Sequence, residues 1–286
     1  MENLLGGVLA YLMKTFSATF SQLFVLFGPG ILLTLIMYFV SGFAQRQAAG
    51  LFGTKFFIYL TAIGTVIHEL GHVVFAVLFR HQITGMRLFG LDESSGTLGY
   101  VNHAYRPNSL YQNIGNFFIG IGPVILGPLV IFLSATWMPG GSLFQSLDPP
   151  HISTDTFTSL QNAAAFIGDV FVHAWQMLGM LFRGGNFSNP WFYLFIYLVF
   201  AVGVHVKLSP SDLQGAWSGF VFVMALFFIF NLLTLWLGDF SIQMITLVSQ
   251  SYVFFYAYML FTMLLILIFM GFMMLLSSTR RLFWHR

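Results

Sequence analysis

The chain alternates long apolar runs with short polar breaks. The first strong run extends from about Phe16 to Phe43, and Gly28-Pro29-Gly30 within it predicts a kink. The second covers about Phe56 to Phe79 and the third about Asn113 to Trp137. The fourth and fifth, about Trp191 to Val206 and Trp217 to Leu237, flank a break at Leu208-Ser209-Pro210-Ser211-Asp212. The last, about Tyr252 to Leu276, closes on Arg280, Arg281 and Arg286. These lengths suit helices that cross a bilayer, which takes ~20 apolar residues. Between the second and third runs the period changes. Ile83 to Phe89 and Thr97 to Tyr105 have short strand character, separated by Asp92-Glu93-Ser94-Ser95-Gly96. That pattern predicts a small β-hairpin at the membrane surface. A long loop containing Asp148-Pro149-Pro150 follows the third run.

Composition sharpens the picture. Hydrophobic residues make up 58% of the chain and charged residues 7%, against about 25% charged in soluble domains. So few charges cannot cover a soluble globule of this length. The expected fold is an all-α polytopic membrane protein with about six transmembrane helices, in one domain over residues 1–286. Backbone groups in lipid must be satisfied internally, which favours helices. There is no cysteine, so disulfides and thiolate metal sites are excluded. The formal charge of +2 is too small to suggest nucleic acid. The N-terminal stretch has no small-residue cleavage site, and no removable signal peptide is expected.

One segment is ambiguous. Asn162 to Leu181 is apolar enough to cross but contains Asp169, His173 and Gln176. If it lies in the interface, eight basic residues fall on the side of the C-terminal arginines and three on the other. If it crosses, the split is six to five. The positive-inside bias therefore favours six crossings with both termini inside. The hairpin region and the Ser209–Gly215 break are then expected on the cytoplasmic side.

The candidate chemistry sits inside the second run, at His68-Glu69-Leu70-Gly71-His72. On a helix this H-E-x-x-H spacing puts two imidazoles one turn apart on one face, as two ligands of a tetrahedral zinc require. The Glu stands where it can take a proton from an activated water. With this chain's His and Glu frequencies, chance supplies the pattern in roughly two such sequences per thousand. Ionisable residues within apolar runs are costly and mark function by default. The others are Asp169, His173, His205 and Asp212. Asp212 follows Pro210 and reads either as a third ligand or as a helix cap. His205 reads as a third ligand, as a partner of one, or as a plain polar residue. Asp169 and His173 are a second metal pair or, better, the polar face of an interfacial helix. His103 reads as a surface residue, and the glycines and prolines of the third run as close helix packing.

An H-E-x-x-H in a membrane span, a β-structured segment, a span containing Gly122-Pro123, and a Pro210-Ser211-Asp212 break with Gly215 following resemble the site-2 protease family of intramembrane zinc metalloproteases. The resemblance covers about residues 56–237. It implies zinc held by His68, His72 and Asp212, Glu69 as the catalytic base, and hydrolysis of peptide bonds in a membrane-embedded or membrane-adjacent protein. The sequence departs from the family's usual Asp-Gly at Asp212-Leu213, from its Asn at His205, and from its middle-span Asn at Leu126, which marks a distant branch. The partners expected are a membrane protein substrate and the lipid bilayer, with no nucleic acid. The location expected is a bacterial inner membrane. The competing readings are a non-proteolytic zinc-binding membrane protein, an ion transporter, and a zinc hydrolase of a lipid or small amide.

Overall fold

The apolar runs fold as helices. In a computed structural model, described over residues 2–92, 96–139, 143–144, 146–148, 150, 152–153, 156, 160–238 and 240–284, they form α1 (Glu2–Phe52), α2 (Thr54–Leu60), α3 (Ala62–Leu78), α4 (Leu110–Thr136), α5 (Leu160–Leu181), α6 (Pro190–Gly203), α7 (Pro210–Thr234) and α8 (Phe240–Trp284). Glu93, Ser94 and Ser95 of the expected turn, together with Pro149 and Arg286, lie outside the described residues. Five helices are long and apolar enough to cross a membrane, or six when the bent pair α2–α3 counts as one. The chain is thus an all-α, multi-pass architecture with a two-stranded antiparallel sheet. Pro29 lies inside an unbroken α1.

Glycine contacts set the helix directions. Gly71 of α3 lies against Gly122 and Pro123 of α4, and Gly115 lies against Phe79 and His81. These pairs run in opposite order, so α3 and α4 are antiparallel. Along α4 the opposing chain then reads Gly127 beside Val206, Gly120 beside Asp212 and Ala216, and Phe117 beside Gly219. Along α2 and α3 it reads Leu60 with Tyr197, Gly64 with Ala201, and His68 with His205. Both series increase steadily, so α6 and α7 run one after the other in the same direction. Of the two, α7 is long enough to cross by itself and α6, at 14 residues, is a shorter apolar helix; two consecutive crossings, as expected from the sequence, would run in opposite directions. Hydropathy measures the length of a run and carries no direction, which explains the difference. The expected role of the third run's glycines holds: they bring backbones together.

The sheet begins at the end of α3. Arg80 takes a left-handed conformation at φ 58°, while the amides of Arg80 and His81 donate to the carbonyls of Val77 and Ala76. This Schellman-type ending turns the chain back. Gln112 of α4 locks the corner, donating from Nε2 to the Arg80 carbonyl at 2.6 Å. β1 (Gln82–Arg87) and β2 (Tyr100–Ala104) pair antiparallel, Gln82 opposite Ala104 and Arg87 opposite Tyr100, with an irregularity between Ile83 and Gly85. The pairing continues past the strands, with Gly90 N donating to Leu98 O and Asp92 N to Thr97 O. The hairpin folds back along α3: Gly99 reaches Glu69, and Phe89 packs on Tyr59 at 5.8 Å between ring centroids.

Candidate metal centre

Three side chains from two helices converge. His68 and His72 project from one face of α3, one turn apart, with ring centroids 5.1 Å apart. Asp212 projects from the first turn of α7. Its Oδ1 lies 3.3 Å from His72 Nε2 and its Oδ2 lies 3.7 Å from His68 Nε2. Ligand atoms around a tetrahedral zinc at ~2.0–2.1 Å stand roughly 3.3 Å from each other. The spacing therefore fits one ion. Among the described residues this is the one group of three or more such side chains that could hold a metal.

Each imidazole is aimed by a backbone carbonyl. His68 Nδ1–H donates to His205 O at 2.9 Å, and His72 Nδ1–H donates to Ile119 O at 2.8 Å. In its neutral form each ring is thereby the Nδ1–H tautomer, with the Nε2 lone pair facing Asp212. Two lone pairs and a carboxylate facing one another attract a cation. The acceptors have a structural origin. In a helix the Ile119 carbonyl would bond the amide four residues on, but that residue is Pro123, which has no N–H. The vacant carbonyl goes to His72. The His205 carbonyl lies past the end of α6 at Gly203, in the irregular chain before Pro210, where it accepts from Lys207 N at 2.8 Å and keeps its second lone pair for His68.

Asp212 is at once cap and candidate ligand. Ser209 is the N-cap of α7, with its Oγ accepting from Asp212 N at 3.2 Å, and Ser209 N donates to Asp212 Oδ2 at 2.7 Å. This reciprocal capping box fixes the carboxylate and leaves Oδ1 toward His72. The cap and ligand readings of Asp212 are compatible, because a carboxylate with two oxygens can cap with one and offer the other to a metal.

His205 brings its carbonyl to the site, while its ring turns away. His205 Nε2–H donates to Thr61 Oγ1 at 3.1 Å, and that hydroxyl donates to Phe57 O at 3.0 Å. Thr61 is the joint between α2 and α3, where the axis bends by 57°. His103 is also not a free surface residue. His81 Nε2–H donates to Gln112 O at 2.8 Å, so His81 Nδ1 accepts from His103 Nδ1–H at 2.9 Å. Burial pulls both rings below the usual histidine value of 6.5. Asp169 is exposed on α5 and His173 is buried, its ring bonded to the Asp148 backbone. That pair gathers no third ligand among the described residues.

Glu69 is buried beside the two histidines and within the electrostatic reach of His68 and Asp212. Its other neighbour is the hairpin. A Cβ on Gly99 would lie 2.7 Å from Glu69 Cγ and 2.9 Å from its Oε1. Only a glycine lets the backbone approach the carboxylate this closely. Gly99 was not singled out from the sequence. An isolated Gly just before a strand, downstream of the motif, was the available signal.

Comparisons with protein families, with curated proteins and with solved structures find no match to this chain.

Proposed function

We propose that this chain is an intramembrane zinc metalloprotease, a distant relative of the site-2 proteases. The observation that carries the reading is the convergence of His68, His72 and Asp212 at tetrahedral spacing next to Glu69, inside an apolar helical bundle. Two imidazoles and one carboxylate are a usual protein set for catalytic zinc, which leaves a fourth position open. When bound, zinc would supply Lewis-acid polarisation of the scissile carbonyl and acidify water toward pKa ~7. Asp212 offsets part of the ion's charge in a site of low dielectric. Glu69 accepts a proton on its carboxylate and returns it to the leaving amine. A site that only held zinc structurally would have no use for an acid at this position. β2 starts one residue after Gly99 and pairs with β1 along one edge. An extended substrate segment added to its other edge would be delivered beside Glu69.

The test compares purified wild type with Glu69→Gln, each reconstituted with a panel of single-span peptides. Cleavage is read by mass spectrometry and zinc by metal analysis. Wild type is expected to hold about one zinc per chain and to cleave; Glu69→Gln is expected to hold the same zinc and not to cleave. Equal cleavage by both proteins, or no zinc in either, would overturn the proposal.

A further inference from the structure

A cavity lined by Thr61 and His205, and not by His68, lies beside the Thr61–His205 contact. It has a volume of about 540 Å³ and is walled by α1, α2, the hairpin loop at Gly96 and Leu98, and the break after α6. Its polar lining is cationic. Arg46 and Lys207 both face it, with Gln45 and Thr54 beside them, and no carboxylate is among its described lining residues. The Lys207 ammonium is partly buried, and its hydrogen bond among the described residues is to a neutral acceptor, Gln45 Oε1, at 3.1 Å. An ammonium withdrawn from water beside a second cation, with only an amide oxygen for a partner, calls for an anion.

The rest of the lining says what kind of anion. Tyr38 and Phe39 form part of the wall and are 46% and 71% exposed on α1. They belong to the candidate span Leu26–Phe52, so these faces meet lipid. Arg46 lies about 20 residues beyond Leu26, the length that crosses the hydrocarbon core. The cations therefore sit at headgroup depth and the aromatic wall at acyl-chain depth. From this juxtaposition we propose that the cavity binds the phosphate of an anionic phospholipid headgroup, held by Arg46 and Lys207, with the acyl chains along Tyr38 and Phe39. The proposal does not depend on the protease reading. It has one consequence for that site: Lys207 lies two residues after His205, whose carbonyl orients His68, so an occupied cavity steadies the turn behind the metal centre.

The experiment measures thermal unfolding of the purified full chain in detergent, titrated separately with phosphatidylglycerol, phosphatidylcholine and inorganic phosphate. Wild type is expected to be stabilised most by phosphatidylglycerol. Arg46→Gln is expected to weaken that lipid about fivefold, and Arg46→Gln with Lys207→Gln roughly thirtyfold, from the usual contribution of one cation near a membrane surface. Arg46 is exposed, so the single variant keeps the test open if the double variant does not fold. The idea is lost if phosphatidylglycerol binds Arg46→Gln as tightly as wild type, or if phosphatidylcholine stabilises wild type equally. Equal stabilisation by inorganic phosphate alone would also overturn it, by identifying a free-anion site.

Discussion

Replacing Gly71 by Ala tests how tightly the metal centre depends on the α3–α4 contact. A Cβ at Gly71 would meet Pro123 N at 2.6 Å, Gly122 C at 2.7 Å and Pro123 Cα at 2.8 Å. All three atoms are backbone or ring, so no flexible side chain can move aside. Reaching ordinary contact at 3.4 Å requires the helices to part by about 0.8 Å. The same separation stretches the 2.8 Å bond from His72 Nδ1–H to Ile119 O to about 3.6 Å, beyond hydrogen-bond range. Two effects then oppose each other. Gly→Ala within a helix gains up to ~1 kcal/mol in propensity, while forced overpacking costs ~1–3 kcal/mol. Overpacking should win, and loss of the partner that orients His72 should lower zinc affinity by ~10–100-fold. Gly179→Ala is the control, because nothing lies within 4 Å of the added methyl group. It should be neutral or slightly stabilising and leave zinc affinity unchanged. The assay is competition against a chromogenic zinc chelator together with thermal unfolding in detergent. If Gly71→Ala matches wild type in both readouts, the packing argument fails and the His72–Ile119 bond is not what aims the ring.

Other perturbations separate the parts of the site. Pro123→Ala introduces an amide that competes with His72 for the Ile119 carbonyl; zinc affinity should fall by about tenfold although the helix gains a hydrogen bond, and unchanged affinity in chelator competition would contradict this. Gly99→Ala places a methyl group between Glu69 and the Arg87 carbonyl, 2.9 Å from the latter, so the carboxylate should move and peptide cleavage drop by ~10²-fold at wild-type zinc content; zinc loss in parallel would refute a local effect. The His81–His103 pair should make stability pH-dependent. Burial holds both rings below 6.5, so the unfolded chain takes up protons that the folded pair resists, and stability is complete above that value and declines as pH falls below it. The unfolding midpoint should depend less on pH over that range in the His81→Gln, His103→Gln double variant, and an unaltered slope would clear the pair of this role.

Much of the centre was legible because it follows from period and from breaks. His68, Glu69 and His72 are readable from one helical turn of spacing, and Asp212 from the proline that starts its helix. What escaped the sequence belongs to the backbone. His205 contributes through its carbonyl, which has no residue signature, and its ring looked like a ligand candidate for that reason. Thr61 breaks the second run with neither Gly nor Pro to announce it. The direction of α6 relative to α7 is set by glycine contacts with α4 and α3, invisible to hydropathy. His103 acquires its partner only when β2 aligns with β1 and brings it to His81, a register that strand propensity does not specify.

The two broken helices explain each other. An intact helix in lipid spends every interior carbonyl on its own amides, so none is left to orient an imidazole. This protein offers three acceptors at its breaks: Ile119 O, with Pro123 four residues on; His205 O, past the end of α6 and shared with Lys207 N; and the Thr61 hydroxyl, at the bend between α2 and α3. Each acceptor is then used across a helix boundary. His72 takes the first, His68 takes the second, and the His205 ring donates to Thr61. The breaks that would be liabilities singly are satisfied jointly, because the carbonyl of His205 and its ring serve opposite sides of the same turn. It follows that His205→Ala should spare the His68 carbonyl contact and loosen the α2–α3 joint, whereas straightening the 204–209 break into a helix should remove the contact itself. Zinc affinity is expected to respond far more to the second change than to the first. The reverse order would mean that the His205 ring, and not its carbonyl, serves the metal centre.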